Sequence, residues 1–149
     1  MEDILIREAR EPDVARILEL YREAGIESEP GFTPQEARAQ LAVFLRYPSF
    51  RVFVAEVEGE VVGTCELLIM DNLAKRGRRS GVVEDVAVSP RFEGRGIGRA
   101  MMLHAQEECR RAGCYKLALS SGLKRTGAHG FYDAMGFEKH GYSFRVDVE

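Results

Sequence analysis

The chain has 149 residues, which fits one ordinary domain able to bury about 70% of the surface that its unfolded form exposes. Its formal net charge of −3 argues against general nucleic-acid binding, because that affinity depends on a domain-wide excess of basic residues. There is no secretory signal and no apolar stretch near the roughly 18 residues that span a bilayer, so we expect a cytoplasmic protein without membrane contact.

The N-terminal half predicts a strand, two helices and a β-hairpin. Alternating apolar and polar residues indicate the strand, apolar residues at helical spacing indicate the first helix, and the capping box of Thr33 and Glu36 starts the second. Two β-branched runs that meet at Gly59 are typical of a hairpin. The expected ranges are 4–10 for the strand, 11–25 and 33–47 for the helices, and 51–70 for the hairpin.

The C-terminal half continues with alternating strands and helices. Residues 81–88 are apolar apart from Glu84 and Asp85 and predict a strand, and apolar residues then recur at helical spacing up to Gly113. The expected ranges are 96–112 for this helix, 115–120 for a strand, 127–136 for a short helix and 137–148 for a last strand. The order of elements predicts one α/β (α+β) domain over residues 1–149 with a mixed sheet.

Cysteine usage predicts neither a disulfide framework nor a metal site. The three cysteines, Cys65, Cys109 and Cys114, lack the Cys-x-x-Cys pairing or histidine partners that zinc and redox sites favour. We therefore expect small core residues and no metal cofactor.

The stretch RFEGRGIG, residues 91–98, places three glycines at alternate positions where a strand gives way to a helix. Backbone N–H groups at such a turn, together with the positive end of the helix dipole, form an anion site suited to phosphate. A P-loop is excluded because Gly98 is followed by Arg99 and Ala100. A dinucleotide fingerprint is excluded because the spacing is G-x-G-x-G and no acid ends the following strand.

The pattern R-x-x-G-x-G, formed by Arg91, Gly94 and Gly96, resembles the coenzyme A pyrophosphate motif of the GNAT superfamily of acetyl-CoA-dependent N-acetyltransferases. VVEDVAVSP (82–90) looks like the central strand of that family, and AHGFYDAMGF (128–137) looks like its C-terminal signature. The resemblance covers nearly the whole chain in element order. It implies a GNAT fold with a mixed central sheet of about six to seven strands and about four helices, acetyl-CoA as co-substrate, and no metal.

The resemblance also implies which residues hold the cofactor. Glycine lacks the Cβ that would keep a pyrophosphate from the backbone N–H groups, and the arginines of the turn add positive charge. The central strand is expected to pair with the pantetheine arm through its backbone and to steady the thioester carbonyl. The expected cofactor-binding residues are Val86, Ala87, Val88, Arg91, Gly94, Arg95, Gly96, Ile97, Gly98 and Arg99.

Glu84 is the expected general base. Amines with a pKa near that of lysine, about 10.4, are mostly protonated at neutral pH, so a carboxylate must take a proton directly or through water. A carboxylate within an apolar strand is costly unless it is paired or faces a wet cleft, and a salt bridge to a neighbouring strand is the structural alternative. Asp85 should point to the opposite face unless a bulge intervenes, so the choice between the two carboxylates stays open.

Tyr132 is the expected general acid. It matches the position at which many GNAT members hold a tyrosine that protonates the departing thiolate, and a phenol with a pKa near 10 suits a thiol with a pKa near 8.5. The alternative is a core aromatic, because Tyr132 shares helical spacing with Ala128, Phe131 and Met135.

The expected acceptor is a small-molecule primary amine. Parts of the sequence resemble glucosamine-6-phosphate and aminoalkylphosphonate acetyltransferases, and KRGRR (75–79) with Lys124 and Arg125 would suit an anionic acceptor. The alternative for KRGRR is a solvated loop. A protein amine as acceptor and a non-catalytic acyl-CoA sensor also stay open, although the presence of both Glu84 and Tyr132 counts against the sensor. Because members of this superfamily often dimerise, a homodimer is a further expectation.

Overall fold

The computed structural model describes residues 3–26, 31–123 and 125–148. The chain forms two compact units, Met1–Ala118 and Leu119–Glu149. The strands are β1 (Ile4–Glu8), β2 (Phe50–Val57), β3 (Glu60–Met70), β4 (Arg79–Val88) and β5 (Cys114–Leu119), and they lie side by side in that order. Strand β2 is antiparallel to β1 and β3, and β3 is antiparallel to β4. The helices are α1 (Val14–Glu23), α2 (Pro34–Phe44), α3 (Ile97–Arg111) and α4 (Thr126–Ala134).

The α/β class is confirmed, and the elements up to the short helix lie close to the positions that periodicity predicted. The capping box of α2 is also present. The Glu36 N–H donates to the Thr33 hydroxyl at 3.1 Å, and the Thr33 N–H donates to the Glu36 carboxylate at 3.2 Å. These two bonds satisfy backbone donors that would otherwise be unpaired at the start of the helix.

The prediction of a last strand over residues 137–148 is wrong. The described part of the chain has five strands instead of about six to seven, and this segment has no strand structure. Its alternation is present in the sequence, but Tyr142, Phe144, Val146 and Val148 are 80–93% exposed. A strand needs a neighbouring strand for its main-chain hydrogen bonds, and alternation alone does not supply one.

Helices α1 and α3 pack on opposite faces of the sheet. On one face, Leu20 of α1 shares a buried cluster with Val54 of β2, which is opposite Thr64 of β3. Gly63, the neighbour of Thr64, points to the other face, where an added Cβ would lie 2.8 Å from Ile97 of α3. Glycine at this point lets the helix lie close to the strand.

A second close approach lies at Gly81 of β4. An added Cβ would be 2.3 Å from the Cys109 Sγ atom and 3.2 Å from the Leu117 Cδ1 atom. Cys109 is only 4% exposed, so its sulfur has little space to yield.

We expect Gly81→Ala to lower the free energy of unfolding by about 1–3 kcal/mol, the usual cost of overpacking an interior. Urea denaturation followed by circular dichroism measures this loss. Cys109→Ala removes the overlapping sulfur, so it should cost less in the Gly81→Ala background than in the wild-type protein. Equal costs in the two backgrounds would contradict the overlap.

The cysteines lie where a core role requires. Cys65 and Cys109 are buried, Cys114 is partly buried, and burial raises the pKa of both Cys65 and Cys109 to about 12. Gly113, which has a φ of +78°, follows the C-terminal cap of helix α3, and the Cys109 and Cys114 side chains meet across this turn. Such a contact commonly accompanies a glycine C-terminal cap, so the pair helps to close the helix end.

Candidate active site

Strand β4 contains a bulge at Asp85. In the register with β3, Glu84 is opposite Glu66 and Ala87 is opposite Thr64, so β4 has one residue more than β3 between these pairs. Asp85 has a φ of +50°, a left-handed conformation that aspartate tolerates better than most residues. The bulge lies three positions before the end of the strand, just upstream of the glycine turn.

The bulge brings three carboxyl groups together on the α1 face of the sheet. Glu66 is opposite Val52, which belongs to the α1 cluster, and it is also opposite Glu84. Asp85 shares a side-chain hydrogen bond with Glu66. The sequence left open whether Asp85 would point away from Glu84; because the bulge intervenes, both carboxyl groups lie beside Glu66.

The site raises the pKa of two carboxyl groups, those of Glu66 and Glu84. Burial, followed by the charge and the hydrogen bond of Asp85, raises the pKa of Glu66 to about 8. Glu84 is more exposed, and partial burial followed by the charge of Asp85 also raises its pKa. A carboxylate with a raised pKa is the better proton acceptor near neutral pH.

Helix α1 contributes a phenol to the same region. Tyr21 is partly buried, and its pKa is raised by burial and by the charges of Glu66 and Asp85. The phenol is therefore neutral at physiological pH and available as a hydrogen-bond donor.

The glycine turn joins β4 to α3. The Ser89 N–H donates to the Val62 carbonyl at 2.8 Å, and a single 3-10 turn, Pro90–Phe92, follows. Gly94 and Gly96 have φ values of +74° and +85°, which favour glycine strongly. Gly96, the N-cap residue of α3, has no side chain that could accept from the first helical turn, so the N–H groups of that turn suit an anion.

These residues fit the pyrophosphate of acetyl-CoA. A Cβ at Gly94 would meet no atom within 4 Å, so bare backbone borders open space there. Ile97 is buried and anchors the helix end, whereas Gly98 and Arg99 lie in its first turn. The backbone of residues 96–99 would hold the pyrophosphate with the help of the helix dipole.

Two arginines of the turn are held by an aromatic ring. The guanidinium carbons of Arg91 and Arg95 lie 5.5 and 4.3 Å from the centre of the Phe92 ring, which is 9% exposed. Arg91 also pairs with Glu60 at the start of β3. Both cations therefore lie near a buried aromatic ring next to the glycine turn.

The C-terminal end of β4 is paired with β3. Ala87 is opposite Thr64, Val88 is opposite Gly63, and Ala87 is buried against α1. The Ala87 side chain therefore packs in the core, and the cofactor contacts of the Val86, Ala87 and Val88 backbones stay predictions.

Tyr132 lies in α4, within the unit Leu119–Glu149. Its ring centre is 5.2 Å from that of Phe131 and 5.6 Å from that of Phe137. Tyr132 thus packs between two aromatic rings, and the role of its hydroxyl stays a prediction.

The basic segment KRGRR forms an exposed turn that leads into Arg79, the first residue of β4. Lys75 and Arg76 have φ values of +56° and +62°. Arg79 pairs with Asp71 at 3.0 Å, and the Arg78 guanidinium lies 5.3 Å from the Tyr115 ring centre. Lys124, predicted to act with this segment, lies outside the described residues.

Two searches of the described residues bear on other kinds of site. None of the helices has the length and apolar character that crossing a bilayer requires. In the same part of the chain, no three His, Cys, Asp or Glu side chains are grouped so that they could hold a metal ion.

Comparison with known proteins identifies the family to which this fold belongs. The acetyltransferase (GNAT) family model matches residues 14–137. Over 98 residues the chain is 36% identical to glucosamine 6-phosphate N-acetyltransferase of Trypanosoma brucei brucei, covering 66% of this chain and 65% of that one. Over 110 residues it is 32% identical to aminoalkylphosphonate N-acetyltransferase of Salmonella typhimurium (strain LT2), covering 74% and 71%. A solved structure of a candidate acetyltransferase from Agrobacterium tumefaciens str. C58 matches with a TM-score of 0.89 and 36% identity over 96% and 99% of the chains.

The chain therefore belongs to the acetyltransferase (GNAT) family. The match spans just under two thirds of the length of the trypanosomal relative.

Sequence reasoning missed Glu66 and Tyr21. Glu66 carries the signal that singled out Glu84, because it is the charged residue within the otherwise apolar run 61–70. Tyr21 belongs to the apolar stripe of α1 and gave no separate signal. Only the strand register and the packing of α1 bring the two residues to Asp85.

Proposed function

We propose that the protein transfers an acetyl group from acetyl-CoA to the primary amine of a small molecule, and that residues 1–149 form one acetyltransferase domain. The observation that carries this proposal is the β4 bulge. It groups Glu84 with Asp85 and Glu66 on one face of a strand that leads directly into the uncapped glycine turn.

Acetyl-CoA supplies the acetyl group as an activated thioester. Glu84, directly or through a water molecule, takes one proton from the acceptor ammonium group. The amine nitrogen then bonds to the carbonyl carbon while the backbone at the end of β4 stabilises charge on the oxygen. As the carbon–sulfur bond breaks, Tyr132 donates its proton to the sulfur, and the remaining extra proton on nitrogen restores the phenol through solvent.

The proposed acceptor carries an anionic group as well as the amine. Two relatives are described as acting on glucosamine 6-phosphate and on aminoalkylphosphonates. The exposed basic turn at the start of β4 offers arginine side chains, which suit phosphate and phosphonate oxygens.

Coenzyme A release, read with a thiol reagent, tests the proposal. The panel pairs each anionic amine with its uncharged counterpart, such as glucosamine 6-phosphate with glucosamine, and includes aminoethylphosphonate, a polyamine and a peptide amine. We expect turnover with an anionic amine and much less with its partner. Turnover of the peptide alone would overturn the small-molecule acceptor. Acetyl-CoA binding in calorimetry without turnover would favour a sensor, and no binding would refute the cofactor assignment.

We further propose a cytoplasmic homodimer. The support is the row of exposed apolar side chains at Tyr142, Phe144, Val146 and Val148, which a second copy of the chain would cover. Light scattering after size exclusion should then give twice the 16.7 kDa chain mass, and a single-chain mass at micromolar concentration would contradict the dimer.

A further inference from the structure

The carboxyl pair of Glu66 and Asp85 takes no part in the proton transfers described above. Glu66 is half-buried on β3, directly opposite Glu84, and its side chain hydrogen-bonds to that of Asp85. Ionised carboxylates only accept hydrogen bonds, so two carboxyl groups can bond to each other only with a proton between them. A hydrogen bond between these two side chains therefore requires one shared proton beside the proposed base.

The charge around Glu66 depends mainly on this shared proton, because the neighbouring side chains are either carboxyl groups or neutral. Glu84 and Asp85 face it from β4, Tyr21 faces it from α1, and Cys65 precedes it on β3. The pKa values of Tyr21 and Cys65 are raised by burial, so both groups are neutral near pH 7 and neither offsets a carboxylate. Val52, its neighbour on β2, is apolar.

The hydrogen bond also bears on the backbone of the bulge. Asp85 has a φ of +50°, and such a conformation persists only where the surrounding structure holds it. The hydrogen bond from Glu66 on the neighbouring strand stabilises this conformation of Asp85. Because Glu84 directly precedes Asp85, a change in the bulge would move Glu84 as well.

We propose that Glu66 is a positioning residue of the acetyl transfer: joined to Asp85 by a shared proton, it holds the β4 bulge so that Glu84 is presented to the acceptor amine. This inference rests on the proposed function, because Glu66 acts through Glu84.

Two substitutions at position 66 separate the shared proton from simple packing. Glu66→Gln keeps a donor toward Asp85 and has the charge of the protonated acid, so we expect kcat at pH 7 within about threefold of wild type. Glu66→Ala removes the partner of Asp85 and should lower kcat about 10- to 100-fold, with little change in the KM for acetyl-CoA. Glu138→Gln, the same change at an exposed position, serves as the control.

The pH profile gives a readout that a packing role would not move. Above a pH of about 8, wild-type Glu66 ionises and the shared proton is lost, whereas glutamine at this position does not titrate. The ratio of the Glu66→Gln rate to the wild-type rate should therefore rise above that pH. A constant ratio would overturn the proposal, as would a Gln variant as impaired as the Ala variant.

Unfolding tests the shared proton without catalysis. Because the folded pKa of Glu66 is about 8 against an ordinary 4.5, the folded state binds more protons between these values, and wild-type stability falls as pH rises through that range. The melting temperature of Glu66→Gln minus that of wild type should increase over the same range, and the Glu138→Gln difference should not.

The two proposals fail in different ways. If unfolding shows no pH signature and Glu84→Gln is inactive, the proposed role of Glu66 is overturned and that of Glu84 is not. If unfolding shows the pH signature but Glu84→Gln is fully active, then Glu84 is not the base. In that case Glu66 cannot act through Glu84 either. If Glu66→Ala does not fold, Glu66→Gln and its two pH profiles still decide the question.

Discussion

Glu84→Gln is expected to lower kcat/KM for the preferred amine by about 10²- to 10⁴-fold, the usual contribution of a general base. Glutamine keeps the size of the side chain but cannot take the ammonium proton. Glu84 is exposed, so the fold should persist, and the affinity for acetyl-CoA measured by calorimetry should be unchanged. Steady-state rates at saturating acetyl-CoA measure the loss.

The pH dependence of kcat/KM also tests the assignment of Glu84 as the general base. Burial and Asp85 raise the pKa of Glu84, so the acidic limb of the wild-type profile should lie above the ordinary glutamate value of 4.5. Asp85→Asn removes the neighbouring charge and should move that limb to lower pH. Asparagine also tolerates the left-handed backbone, which makes it the suitable control.

The pair of variants also decides between the two carboxylates of β4. An inactive Asp85→Asn beside an active Glu84→Gln would transfer the role of base to Asp85. Full activity in both variants would contradict a carboxylate base on β4.

Tyr132→Phe is expected to lower kcat by about 10²-fold or more, because the departing thiolate loses its proton donor. Phenylalanine keeps the ring that lies 5.2 Å from Phe131 and 5.6 Å from Phe137, so the melting temperature should change little. The KM for acetyl-CoA should also change little, since the hydroxyl acts on the leaving group. Single-turnover measurements of coenzyme A release separate this step from product release.

Tyr142→Phe is the matched control, because it removes the same hydroxyl from a tyrosine that is 90% exposed. Its kcat should equal that of wild type. If Tyr132→Phe were equally active, Tyr132 would be a packing aromatic of α4, the alternative that its helical spacing also indicated.

Most of the local structure was predictable. The capping box of Thr33 and Glu36 and the glycine turn at Gly94 and Gly96 depend on residues a few positions apart, and each is present. The glycine turn was the more informative of the two, because backbone with positive φ before a helix has a direct chemical use. The same reasoning singled out Glu84, a charged residue in an apolar strand.

The wrong prediction and the missed residues share a cause. Residues 137–148 have the alternation of a strand without strand structure, and Glu66 has the pattern of a catalytic carboxylate but was passed over. In both cases the outcome depends on what lies next to the segment in space. Alternation shows which side chains share a face and does not show which strand is the neighbour.

By itself, the sequence determined the α/β class, the family and the glycine turn, because periodicity, capping and short motifs with glycine depend on residues a few positions apart. Only the tertiary structure decided that Asp85 lies beside Glu66 and that Tyr21 lies near enough for their charges to act on it. Those positions depend on one extra residue between two pairs of the β3–β4 register and on the packing of α1. A bulge reverses the face of every residue beyond it, and it arises from pairing between distant segments rather than from local preference.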